Sequence, residues 1–68
     1  MRPLPAKRIV AALEDNGFVL TRQRGSHQIY THPDGRMVPV PWHGGNRPLP
    51  TGTFHAIIRQ SGLKPEDF

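Results

Sequence analysis

The chain has 68 residues, including seven glycines and eight prolines, no cysteine, and nine Lys and Arg against five Asp and Glu for a net charge of +4. That length predicts a single domain over residues 1–68 with stability near the low end of ~5–15 kcal/mol, and without cysteine it has neither a disulfide frame nor a thiolate zinc site. The cysteine-free composition suits a reducing cytoplasm, and the positive charge either draws a polyanion, nucleic acid first, or keeps a small protein in solution.

Ala6, Ile9, Val10 and Leu13 recur at three- and four-residue spacing, which predicts a first helix from Pro5 to Asn16, stopped by Gly17. Glu14 and Asp15 break the apolar stretch soon after Met1–Lys7, so neither a secretory signal nor a membrane span is expected. From Phe18 to Gln23 the period changes to two, predicting a strand. Arg24 and Gly25 then supply a tight turn, and His27 to Thr31 form the second strand of a hairpin. The run His32-Pro33-Asp34-Gly35 is a turn, and a third strand is expected from Arg36 to about Val40. Pro39 has no amide proton to donate, so this strand either lies at a sheet edge, the favoured reading, or carries a bulge there. Pro41 to Pro50 reads as a loop. A second helix is predicted from Thr51 to Ser61, with Phe54, Ile57 and Ile58 facing the sheet and Gly62 as its stop. Leu63 is expected to fold back, Pro65 to open a last turn and Phe68 to anchor it.

This order predicts an α+β fold, a three-stranded antiparallel sheet with both helices on one face and the other left to solvent or a ligand. Alternation puts Phe18, Leu20, Ile29, Val38 and Val40 on the core face and Arg22 opposite His27, with the histidine at the rim of that face. A slip of one residue at the turn would carry it to the other side.

The pairs Gly17-Phe18 and Arg22-Gln23, the run Gly25-Ser26-His27, the element Pro41 to His43, Gly52-Thr53 and the stretch Ile58 to Gly62 together resemble the HicA toxins. These are small messenger-RNA-cleaving ribonucleases of toxin–antitoxin modules. The resemblance covers about three quarters of the chain. It implies a fold similar to double-stranded-RNA-binding domains, a catalytic histidine at position 27, and neutralisation by a HicB-type antitoxin. The chain departs from the family just before Gly52, where lysines are common. Arg47, Pro48, Leu49, Pro50 and Thr51 stand there instead, and Pro39 interrupts a usually more regular third strand.

The chemistry of RNA cleavage agrees with the position of His27. An imidazole with an ordinary pKa of about 6.5 can take a proton from a ribose 2′-hydroxyl or return one to the leaving 5′-oxygen near neutral pH. Arg22 and Arg24 flank it and are candidate phosphate clamps. Gly25 shapes the turn that aims the ring. The Ser26 hydroxyl either bonds a phosphate oxygen or caps the turn, and a nucleophilic serine is not expected because no carboxylate completes a triad. Lys7, Arg8 and Arg36 either extend an RNA-backbone surface or are ordinary surface charges. His43 is a second acid/base candidate or a loop-fixing histidine. Trp42 is expected to cover the small core, and Tyr30 is a candidate for stacking an unpaired base. The four histidines lack metal-ligand spacing and the acids do not gather near them, so no metal or other cofactor is expected. Two other readings fit the same residues: a non-catalytic RNA-binding module, and a protein-binding domain that uses an open sheet edge.

Overall fold

The computed structural model of the protein describes residues 2–68; Met1 lies outside them. The elements run α1 (Ala6–Asp15), β1 (Val19–Arg24), β2 (His27–Thr31), β3 (Met37–Pro41), α2 (Thr51–Ser61) and a 3-10 turn over Pro65–Asp67. The strands form one antiparallel sheet in the order β1-β2-β3, so β3 is an edge strand, the favoured of the two readings of Pro39.

Each helix buries one stripe. Ala6, Ile9 and Leu13 of α1 and Phe54, Ile57 and Ile58 of α2 meet Phe18, Tyr30, Val38 and Val40 in one core, so both helices cover the same face of the sheet. Removing these side chains from water, at roughly 25 cal/mol per Å² of apolar area, is the main source of stability in a domain this small. Leu49 joins this core from the loop after β3. Its amide donates to the Leu4 carbonyl, and Pro48 bridges to Pro5. The Pro48–Pro50 departure thus clasps the loop to the N-terminal segment. Leu63 and Phe68 also pack on the core, Phe68 meeting the Phe54 ring edge-on at 6.3 Å.

Two expected core residues lie elsewhere. Leu20 is 47% exposed and Ile29 half-buried, while Tyr30 takes the interior place at 3% exposure. For Ile29 the reason is register: Tyr30 stands opposite Val38 and Gln28 opposite Val40, paired residues share a face, and Ile29 falls on the other. Leu20 pairs with Tyr30 and so shares its face, but it lies on β1, an edge strand whose residues are all exposed. Burying a tyrosine requires a partner for its hydroxyl, which donates to Gln28 Oε1 at 3.1 Å. Desolvation, with the Glu14 charge adding to it, raises the Tyr30 pKa above its ordinary value. Tyr30 is therefore not a platform for an unpaired base.

Arg36 ties the β2–β3 turn to the end of α2. Its Nε meets both carboxylate oxygens of Asp34 at 2.8 and 3.1 Å, its guanidinium lies 5.2 Å from the Phe18 ring centre, and Nη1 donates to the Ser61 carbonyl at the last turn of α2. The Arg36 side chain, and then its backbone amide, hold the Asp34 carboxyl below the usual carboxylate range. A pKa lowered by folding contributes stability above the unfolded value, near 4, and that stability is lost as the pH falls through the lowered folded value. Urea unfolding across acidic pH is expected to show this loss in the wild type, and Asp34→Asn is expected to flatten it. An unchanged acid profile would remove Asp34 from that role.

Candidate functional site

The hairpin tip is tighter than Arg24-Gly25 predicts. Arg24 pairs with His27 as the last residue of β1, leaving Gly25 and Ser26 as a two-residue loop. Gly25 sits at φ +59° in the first loop position while Ser26 keeps a negative φ, the pattern in which glycine removes the steric cost. The Ser26 carbonyl accepts from the Trp42 amide, which binds the tip to the chain leaving β3. The Ser26 side chain is exposed.

A bulge sets what surrounds His27. Leu20 pairs with Tyr30, but the next β1 pair is Arg22 with Ile29, so Thr21 is an extra residue. In an unbroken register Arg22 would face Gln28 and share the core face. The extra residue rotates Arg22 and Arg24 to the open face, beside Ile29 and His27. Thr21 is held by its hydroxyl, 2.9 Å from Thr31 Oγ1 and 3.4 Å from the Ile29 carbonyl. The expected Arg22–His27 pairing is thus replaced by Arg24–His27, and His27 lies on the open face instead of at the rim of the core face.

Arg22, Arg24 and His27 are exposed together, and among the described residues neither arginine is in an ion pair. The Asp34 carboxylate of the β2–β3 turn is engaged by Arg36. A concavity of about 410 Å³ lies over the open face, with Arg22, Arg24 and Thr21 at its margin and Ile29 and Met37 as its apolar floor. A second, of about 250 Å³, opens at the β3 edge between His27, Pro39 and Pro41 and the α2 residues Ala56 and Ile57, with Thr53 and Gln60 also lining it. His27 therefore stands beside its cross-strand partner Arg24 on one side and a cleft on the other. Guanidiniums can hold a phosphate there, and an imidazole in reach can move a proton.

The remaining candidates are placed apart. Arg36 is turned into the protein, as described. Lys7 and Arg8 are exposed on α1, in the helical layer behind the sheet, although the Lys7 amide donates 3.0 Å to the Gly45 carbonyl of the loop after β3. His43 is exposed in that loop, next to Trp42. Trp42 is half-buried against the core as expected, and its ring lies so close over Gly45 that a Cβ there would fall 2.7 Å from it. His32 stays with the turn, its ring edge-on to Phe18 at 5.1 Å. Among the described residues no group of three or more His, Asp or Glu is placed to hold a metal ion, and no helix is long and apolar enough to cross a membrane. Sequence reasoning missed Ala56 and Gln60 of the second cleft, which lie far from His27 along the chain and carry no motif.

The fold and this face define a small α+β protein with a basic, histidine-bearing open sheet. The family model of the HicA toxin of bacterial toxin–antitoxin systems matches residues 6–63. The chain belongs to the HicA toxin family. A search of curated proteins finds no match.

Proposed function

We propose that this protein is a cytoplasmic endoribonuclease, the toxin of a toxin–antitoxin module, that cleaves messenger RNA on the open face of its sheet. The observation that carries the reading is the grouping of Arg22, Arg24 and His27 on one solvent-facing surface by the Thr21 bulge. His27 serves as general acid/base. The 2′-hydroxyl attacks the adjacent phosphorus as its proton is taken up, the bond to the 5′-oxygen breaks, and that oxygen is protonated, leaving a 2′,3′-cyclic phosphate and a 5′-hydroxyl. Arg22 and Arg24 hold the phosphate while negative charge builds on it. An imidazole and two guanidiniums supply both proton transfer and charge, so the reaction needs no metal ion. Ser26 at the tip is positioned to add a hydroxyl to the phosphate contacts, and His43 is the candidate for a second proton-transfer group. A HicB-type antitoxin neutralises the enzyme by covering this face.

The test is cleavage of an end-labelled messenger RNA by the purified protein in EDTA. The expected products carry cyclic or 3′-phosphates, and a single 2′-deoxy substitution at a cut site is expected to block that cut. Replacing Arg22 and Arg24 together by Ala is expected to weaken RNA binding and to lower the slope of log affinity against log salt by about 1.4, from roughly 0.7 per phosphate contact on a single strand. RNA retention without cleavage, unaffected by replacing His27, would identify a binding module instead.

A further inference from the structure

The cleft between the β3 edge and α2 has no part in the chemistry above, yet His27 forms one of its walls. We infer that it is a nucleobase subsite, which takes one unpaired base of the nucleotide adjoining the cut phosphate and makes cleavage base-selective. This rests on the ribonuclease reading of His27 and extends it to the choice of substrate.

Three observations support the inference. First, the walls suit a flat aromatic ring. Pro39 and Pro41 offer half-buried, rigid apolar surface from one side, and half-buried Ala56 offers a small apolar surface from α2, with Ile57 buried behind it. With about 250 Å³, the cleft is smaller than the usual range for drug-sized ligands and suits a single base. Second, polar groups are few. The Gln60 carboxamide has both donors and an acceptor, the set that reads a base edge, and the Thr53 hydroxyl supplies one further donor or acceptor. Third, the placement is continuous with the phosphate site. His27 pairs with Arg24 on one side and with Pro41 on the other, so a phosphate held at Arg24 and His27 has the cleft as its neighbour across β3. The edge location also decides the substrate's form. A base reaches this cleft only by leaving a helical stack, so the RNA is single-stranded at the cut.

The edge itself explains why this surface is free for a ligand. Pro39 and Pro41 have no amide protons, which removes donors that another strand would need to extend the sheet along β3. What remains is an apolar, non-pairing edge.

Short unstructured RNAs differing only in the bases flanking one cut, together with a duplex form of each, provide the test. The wild type is expected to favour one base on one side of the cut by roughly tenfold, the scale of one side-chain contact to a base edge, and to cut the duplexes much more slowly. Gln60→Ala, at an exposed position, is expected to level that preference. Ala56→Leu is expected to slow cutting of every sequence by filling the cleft, with thermal unfolding as its folding check. In parallel, uncleavable 2′-O-methyl RNA is expected to shift the Gln60 side-chain amide and Ala56 methyl resonances of the wild type. Equal cutting of all bases, with shifts at Arg22 and Arg24 alone, would overturn the subsite while leaving the ribonuclease reading intact. Shifts at Gln60 and Ala56 without any cleavage would support the subsite and reject the catalytic reading.

Discussion

His27→Ala is expected to lower RNA cleavage by roughly 10²- to 10⁴-fold, the usual contribution of a positioned proton-transfer group, while leaving the fold intact. The second half of that expectation follows from placement. His27 is exposed on the open face and contributes nothing to the buried core, and it closes the hairpin tip with Arg24 through backbone pairing that alanine keeps, the tip itself being shaped by Gly25 and by the Ser26–Trp42 hydrogen bond. Thermal unfolding of the variant should therefore match the wild type. His27→Gln sharpens the test, because a carboxamide keeps a hydrogen-bonding group of similar reach without an acid/base function near neutral pH. It should bind RNA about as well as the wild type and cleave no faster than the alanine variant. Cleavage by either variant at more than a tenth of the wild-type rate would move the proton-transfer role away from His27.

Phe54→Ala carries the other large effect, on stability. The Phe54 ring is fully buried at the centre of the contact between α2 and the sheet, and Phe68 closes over it. Truncating a buried phenylalanine costs about 3–5 kcal/mol, through lost transfer free energy and the cavity that remains. For a domain expected near the low end of ~5–15 kcal/mol this removes most of the stability, so the variant should be largely unfolded at 37 °C by circular dichroism. Phe68→Ala, at a half-buried position near the chain end, should cost much less. Since α2 also supplies a wall of the cleft beside His27, the Phe54 variant is expected to lose RNA cleavage together with its fold. A Phe54 variant that unfolds at the wild-type urea concentration would contradict the packing of α2 described here.

The order of elements was legible because local signals agree with one another. Helical spacing in Ala6–Leu13 and Phe54–Ile58, glycines just beyond each helix, and turn residues at positions 25 and 32–35 all point to the same succession. Pro39 left an edge position or a bulge for β3, and the strand order shows the edge. The family was also legible, from the spacing of the Gly25-Ser26-His27 run and its distant companions, and the match over residues 6–63 bears that out. Arg36 was harder to read. A lone arginine after a turn looks the same in sequence whether it meets solvent, phosphate or its own protein, and only the approach of Ser61 and Phe18 shows that it braces the fold.

Sequence alone determined the elements, their order, the apolar stripes of both helices and the presence of one histidine just after two arginines and a tight turn. These depend on residues a few positions apart, where spacing and backbone preference decide. Tertiary structure decided which face of the sheet those residues occupy. Side chains alternate with a period of two, so one extra residue in β1 inverts everything beyond it, and no local signal marks Thr21 as that residue. Its cross-strand hydrogen bonds and the pairing of Tyr30 with Val38 set the register, and with it the open face that Arg22, Arg24 and His27 share.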